Sequence, residues 1–199
     1  VRKFFDSVDH GVLMGLIRRK VSDLEVLELI RVIVSSFSKS PGKGLPLGNV
    51  TSQLFSNVYL NELDQFVKRD LRVKQYIRYA DDFVILSKNR AYLESLLPKI
   101  EQFLRETLKL EVHPKKILFT KWNRGIDFLG YIFFPHHAVL RVKTRKRIIK
   151  NILKNLAAKK RGDMDETHFE QSLRSYLGIM SHADTYKLTG KILNEYVLN

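Results

Sequence analysis

The sequence predicts an α+β fold, with an antiparallel sheet carrying helices on one side and a helical segment behind it. Three observations predict it. Apolar residues recur at helical spacing through most of the first 110 positions. Short β-prone runs interrupt that pattern at Gln75–Tyr79 and Phe83–Ser87, with only Ala80, Asp81 and Asp82 between them. From Thr144 onward the pattern is helical and strongly basic.

The elements follow in order. Val1–Phe5 is short, apolar and β-prone, and reads as a strand. Asp9 is placed to cap a helix to about Lys20, and Asp23 a second helix to about Phe37. Residues 38–49 form a loop punctuated by Pro41, Gly42, Gly44, Pro46 and Gly48. Thr51 or Ser52 opens a helix to about Asp70, with Phe55, Tyr59, Leu63 and Phe66 on its apolar face. A tight hairpin around Ala80-Asp81-Asp82 comes next, then a helix from about Ala91 to Lys109. Lys116–Thr120, Asp127–Phe133 and Val139–Val142 read as strands, and the tail as three helices. The change to basic helix near Lys143 divides the chain into 1–142 and 143–199.

Among the 199 residues, 35 Lys and Arg face 21 Asp and Glu, a formal net charge of +14. That excess favours a polyanionic partner, nucleic acid ahead of an anionic membrane. There is no cysteine, which excludes disulfides, Cys-ligated zinc and thiol chemistry. No apolar run reaches the roughly 18 residues of a membrane-spanning helix, so no membrane partner is expected. The opening does not read as a signal peptide. Val1 stands where a Met would start a chain, so we expect sequence ahead of it in the natural protein.

Asp81 and Asp82 carry the chemistry. Adjacent carboxylates between apolar runs repel each other unless a counter-charge is present. A hard divalent cation supplies it, because Mg²⁺ takes carboxylate oxygens together with water and phosphate oxygens. Two such ions about 4 Å apart activate an attacking hydroxyl and stabilise a leaving pyrophosphate. The bland alternative for the dipeptide alone is a solvated turn.

The context favours the first reading. Tyr79-Ala80-Asp81-Asp82 matches the Tyr-x-Asp-Asp signature of reverse transcriptases, and four further segments match in order. The chain therefore resembles the palm of a reverse transcriptase (1–142, N-terminally truncated and without fingers) followed by a helical thumb (143–199). The resemblance implies RNA-directed DNA polymerase activity: a nucleotidyltransferase that adds dNTPs to the 3′-hydroxyl of a DNA or RNA primer on an RNA template. It implies two Mg²⁺ ions, with Mn²⁺ as a substitute, and a cytoplasmic enzyme of prokaryotic or phage origin.

The first matching segment is Val1–His10. It resembles the palm strand that begins with a metal-binding aspartate. In the family that aspartate lies one position ahead of Val1, so these 199 residues do not include it, and the isolated chain is expected to be inactive. The same match makes the Val1 carbonyl a metal ligand and Phe5 the aromatic that crowds the sugar 2′ position. Asp6 and Asp9 do not align with the catalytic position. The second segment is Gly44–Gln53, which in the family contacts the incoming nucleotide; its candidates are Leu47, Gly48 and Gln53. Gly48 also suits close backbone approach, and the helix start behind it suits phosphate. Most reverse transcriptases carry glutamine where Leu47 stands. This variant resembles the error-prone enzymes of diversity-generating retroelements, which work with a small basic accessory protein. Group II intron, retron and phage-defence enzymes are the neighbouring alternatives, and a non-catalytic RNA-binding module the alternative from another class.

The third segment, Leu110–Lys116, resembles the one that holds a lysine near the pyrophosphate, which makes Lys116 the candidate general acid and Lys115 its fallback. The fourth, Phe128-Leu129-Gly130-Tyr131, resembles the primer-grip strand, with Leu129, Gly130 and Tyr131 as its contacts. The tail matches more loosely. Lys143, Arg145, Lys146, Arg147, Lys150 and Lys154 share a helix with the apolar Ile148, Ile149, Ile152 and Leu156. A thumb helix following a nucleic-acid backbone has this composition. His136-His137 lacks a third ligand at metal spacing and reads as a loop pair.

Overall fold

The computed structural model describes residues 1–46 and 48–194. They divide into two compact units, Val1–Ile117 and Leu118–Asn199. This division lies upstream of the composition change at Lys143. Strand β5 (Ala138–Leu140) sends Leu140 into the same core as the C-terminal helices, so the last strands group with those helices.

The first unit begins with a departure from expectation. Val1–Phe5 is not a strand: Lys3 turns left-handed (φ 42°) and Phe4–Ser7 forms one helical turn, α1. The side chains explain it. Phe4 and Val8 are buried four positions apart, a helical spacing that an extended segment would send to one face with Asp6 between them. The peptide groups are tied elsewhere: Gly44 donates to the Val8 carbonyl at 2.8 Å and Leu45 to the Phe5 carbonyl at 2.7 Å.

Helices α2 (His10–Arg18) and α3 (Leu24–Ser35) start where expected. The Asp9 side chain accepts from the Val12 N–H, and Asp23 accepts from Glu25 and Val26, which satisfies otherwise orphaned donors. Helix α4 (Val50–Gln65) begins one residue before the expected Thr51, behind Asn49, and ends in a π-helical turn, Phe66–Asp70. Its Tyr59, Leu60 and Leu63 are fully buried and form the centre of the core with Leu13, Leu104 and Leu108. The Tyr59 hydroxyl donates to the Leu108 carbonyl at 2.6 Å and accepts from the Asp9 N–H at 3.3 Å, and burial raises its pKa. Helix α5 (Arg90–Glu106) is capped by Asn89 and stacks Phe103 on Phe66 with centroids 4.2 Å apart. Between α4 and α5 lies a two-stranded antiparallel hairpin, β1 (Gln75–Tyr79) and β2 (Asp82–Leu86).

The expected strand Lys116–Thr120 is absent. Pro114, which has no N–H for a ladder, instead starts a 3₁₀ turn through Lys116.

The second unit has its own antiparallel sheet in the order β3 (Ile126–Phe128), β4 (Tyr131–Phe133), β5. The run Asp127–Phe133 is therefore a hairpin and not one strand, because Leu129 (φ 53°) and Gly130 (φ 89°) both turn left-handed, the geometry of a two-residue β-turn. Helices α6 (Val142–Lys160), α7 (Glu166–Ser181) and α8 (Tyr186–Ile192) complete the unit. Ile148, Ile152, Phe169, Leu173, Met180 and Ile192 join Leu140 in its core. The described strands thus form two separate sheets of two and three strands, where one was expected.

Candidate nucleotidyl-transfer site

The β1–β2 hairpin closes on the pair Tyr79↔Asp82, which leaves Ala80 and Asp81 as its two turn residues. Ala80 is left-handed, at φ 49°. That sign suits the first position of a two-residue hairpin, yet costs a residue with a Cβ, so the surroundings must hold it. They do. The Arg78 Nη1 donates to the Ala80 carbonyl at 2.9 Å. The rest of the guanidinium forks onto Asp64 of α4, Nε to Oδ1 at 2.7 Å and Nη2 to Oδ2 at 2.6 Å. The Tyr76 hydroxyl donates to the same Asp64 Oδ1 at 2.7 Å. Its pKa is raised by burial and by that bond; the Arg78 pKa is raised mainly by the bond to Asp64.

The start of the chain meets this turn. The terminal ammonium of Val1 donates to the Asp81 carbonyl at 3.2 Å. Asp81 is half-buried and Asp82 is exposed at the start of β2. Their oxygens are hard donors of the type Mg²⁺ takes, and Mg²⁺ is commonly held by one or two carboxylates plus water and substrate phosphates. Among the described residues no group of three or more His, Cys, Asp or Glu side chains gathers, so these two carboxylates fit a cation that draws its remaining ligands from elsewhere.

The other candidates divide. Phe5 packs half-buried against the core, edge-on to Phe4 with centroids 5.3 Å apart. Its carbonyl holds Leu45, so the opening aromatic and the loop toward Gly48 are joined. Leu47 lies outside the described residues. Gly48 is left-handed (φ 86°) in open space, so the glycine serves the conformation and no neighbour crowds it. Gln53 is exposed on α4, one helical turn before Asn57, whose Oδ1 is 3.4 Å from the Arg78 Nη1. Lys115 and Lys116 are exposed in the 3₁₀ turn, and no described hydrogen bond or ion pair joins their side chains to the acidic turn.

In the second unit Leu129 and Gly130 form the β3–β4 turn. A Cβ on Gly130 would stand 3.2 Å from the Thr144 Oγ1. The Tyr131 hydroxyl donates to the Ile179 carbonyl at 2.8 Å, and Arg141 pairs with Asp127. On α6, Lys143, Arg145, Lys146, Arg147, Lys150 and Lys154 are all exposed and make no described ion pair. Lys159 and Arg161, at the far end of the same basic run, are engaged with Glu166 and Asp163. His137 stacks on Phe134 within the β4–β5 loop, as a loop pair would.

Residues 1–133 match the family model described as reverse transcriptase (RNA-dependent DNA polymerase). The chain belongs to the reverse transcriptase family. Two curated relatives set its context. Protein YkfC of Escherichia coli (strain K12) is 28% identical over 180 residues, covering 71% of this chain and 46% of that protein. The group II intron-encoded protein LtrA of Lactococcus lactis subsp. cremoris is 24% identical over 200 residues, covering 66% of this chain and 33% of that protein. The chain thus spans less than half the length of these relatives. No helix among the described residues is long and apolar enough to cross a membrane.

Sequence reading missed Asp64, Tyr76 and Arg78. Tyr76 and Arg78 do alternate on one face of β1, and that period was the available signal. Nothing in the sequence tied them to an acid on the preceding helix.

Proposed function

We propose that this chain is the catalytic core of an RNA-directed DNA polymerase of retroelement type, which extends a primer 3′-hydroxyl with dNTPs on an RNA template. The observation that carries this is the β1–β2 turn, which sets Asp81 and Asp82 side by side and is held in place by Arg78 and Asp64. Asp81, Asp82 and the Val1 carbonyl would hold Mg²⁺, or Mn²⁺ in its place. When bound, the ions would activate the primer hydroxyl and neutralise charge on the leaving pyrophosphate. Phe5 crowds the 2′ position of the incoming sugar. Leu47, Gly48 and Gln53 line the nucleotide, and Lys116 supplies the proton for the pyrophosphate. Leu129, Gly130 and Tyr131 hold the primer end, a role supported by the likeness of Phe128–Tyr131 to the primer-grip strand. The exposed α6 cations hold the template–primer backbone. The bacterial origin of YkfC and LtrA supports a prokaryotic enzyme.

The test is primer extension on an RNA template by the natural full-length protein carrying these residues. Asp81→Asn or Asp82→Asn should abolish extension while leaving RNA binding intact. Extension that survives both changes overturns the proposal.

Two subtypes have separate support. The Leu47–Gln53 variant favours an adenine-directed, error-prone enzyme of a diversity-generating retroelement, with a small basic protein as partner. The match to an intron-encoded protein favours a group II intron enzyme. Sequencing the cDNA separates them: errors concentrated at template adenines support the first, faithful copying the second.

A further inference from the structure

We propose that Arg78 is a positioning residue for the acidic turn, anchored by Asp64, and that this pair sets how tightly Asp81 and Asp82 hold a divalent cation. This role rests on the polymerase reading above. The Arg78 side chain is only 11% exposed and Asp64 27%. A guanidinium offers five N–H donors in a rigid fork. Two of its nitrogens grip both oxygens of Asp64, and the third reaches the Ala80 carbonyl. Asp64 and Asn57 lie seven residues apart, two turns along one face of α4, so a single helix supplies both side-chain acceptors.

The Ala80 carbonyl belongs to the peptide that joins Ala80 to Asp81. Rotating that peptide swings the Asp81 Cα and carries its carboxylate with it. Ala80 is left-handed, a conformation that the peptide would leave if nothing held it. A staple between helix and strand would need only the Asp64 fork and the Tyr76 hydroxyl. The third bond instead runs to the one carbonyl whose orientation aims Asp81. Lysine cannot replace this arrangement, because one ammonium on a flexible stem cannot fork onto a carboxylate and hold a peptide oxygen in fixed relation.

The experiment titrates Mn²⁺ into the chain and reads free Mn²⁺ by electron paramagnetic resonance. Wild type is compared with Arg78→Lys, Asp64→Asn, the pair of both changes, and Asp81→Asn/Asp82→Asn. Glu62→Gln, which removes a surface partner of Arg19 on the same helix, is the control. Partners that orient metal ligands typically change affinity by one to two orders of magnitude, so Arg78→Lys should raise the Mn²⁺ dissociation constant about tenfold. Asp64→Asn should act in the same direction, the pair should be no worse than Arg78→Lys alone, and Glu62→Gln should bind as wild type. In the natural full-length protein, Arg78→Lys should raise the Mg²⁺ concentration for half-maximal extension and leave the KM for template–primer unchanged. Should Arg78→Lys fail to fold, Asp64→Asn carries the same comparison. Binding lost in Asp81→Asn/Asp82→Asn but unchanged in the Arg78 and Asp64 variants overturns the positioning role alone. Binding unchanged in Asp81→Asn/Asp82→Asn overturns the polymerase reading and the positioning role together.

Discussion

Neutralising one stripe of α6 should flatten the salt dependence of nucleic-acid binding by a calculable amount. Lys143, Arg147, Lys150 and Lys154 recur at helical spacing on the exposed side, opposite the buried Ile148 and Ile152. At 1.5 Å per residue the stripe is about 16 Å long. At about 3.4 Å of axis per phosphate along one strand, that length spans about five phosphates. None of these four side chains is committed to an acid among the described residues, so each is available to displace a counterion. With about 0.9 of log–log slope per neutralised phosphate, changing all four to Gln should lower the slope by about 3.6. Raising salt from about 50 to 200 mM should then cost the variant about 150-fold less affinity than wild type. Fluorescence anisotropy with an RNA–DNA hybrid, repeated across salt concentrations, measures this. Lys159→Gln, which removes a cation already paired with Glu166, should change the slope far less. An unchanged slope in the four-site variant would remove α6 from the nucleic-acid interface.

Other perturbations follow from the same contacts. Phe5→Ala in the natural full-length protein should lower the preference for dNTPs over rNTPs by about 10- to 100-fold in kcat/KM, measured by single-nucleotide extension. Tyr59→Phe leaves the Leu108 carbonyl without its buried donor and should cost about 1–3 kcal/mol in urea denaturation. Gly125→Ala should destabilise the second unit by more than about 1 kcal/mol, since the new Cβ meets the Ile132 Cγ2 at 2.5 Å and the backbone is left-handed at φ 83°. The Asp165 carboxylate caps α7 and is held below its ordinary pKa of 3.8, chiefly by the His168 N–H. A depressed folded-state pKa stabilises above the ordinary value, and that contribution fades as pH falls below it. Asp165→Asn should keep the cap and remove this part of the acid sensitivity in a thermal melt followed across pH.

Local chemistry was legible in the sequence where a residue acts on its own neighbours. Asp9 and Asp23 each cap a helix because a carboxylate satisfies N–H groups two or three residues ahead. The hairpin around Asp81 was readable because β-prone runs flank a short polar turn. What depends on distant partners was not readable. Val1–Phe5 has a strand's composition, yet its backbone is held by Leu45 and Glu111, and it coils so that Phe4 and Val8 share one core. Leu129 gives no sign of a left-handed turn, because leucine rarely adopts one, and only the pairing of β3 with β4 imposes it. Asp64 and Arg78 stand in different elements, each with the appearance of a surface charge, and only the packing of α4 on the hairpin turns them into a fork.

The most direct measurement is residue-resolved NMR of this chain with trace Mn²⁺, whose unpaired electrons broaden nearby amides. The account predicts that broadening begins at Asp81 and Asp82, extends to the opening residues beside them, and vanishes in Asp81→Asn/Asp82→Asn. Broadening centred on another acidic cluster, or identical in wild type and variant, would contradict it.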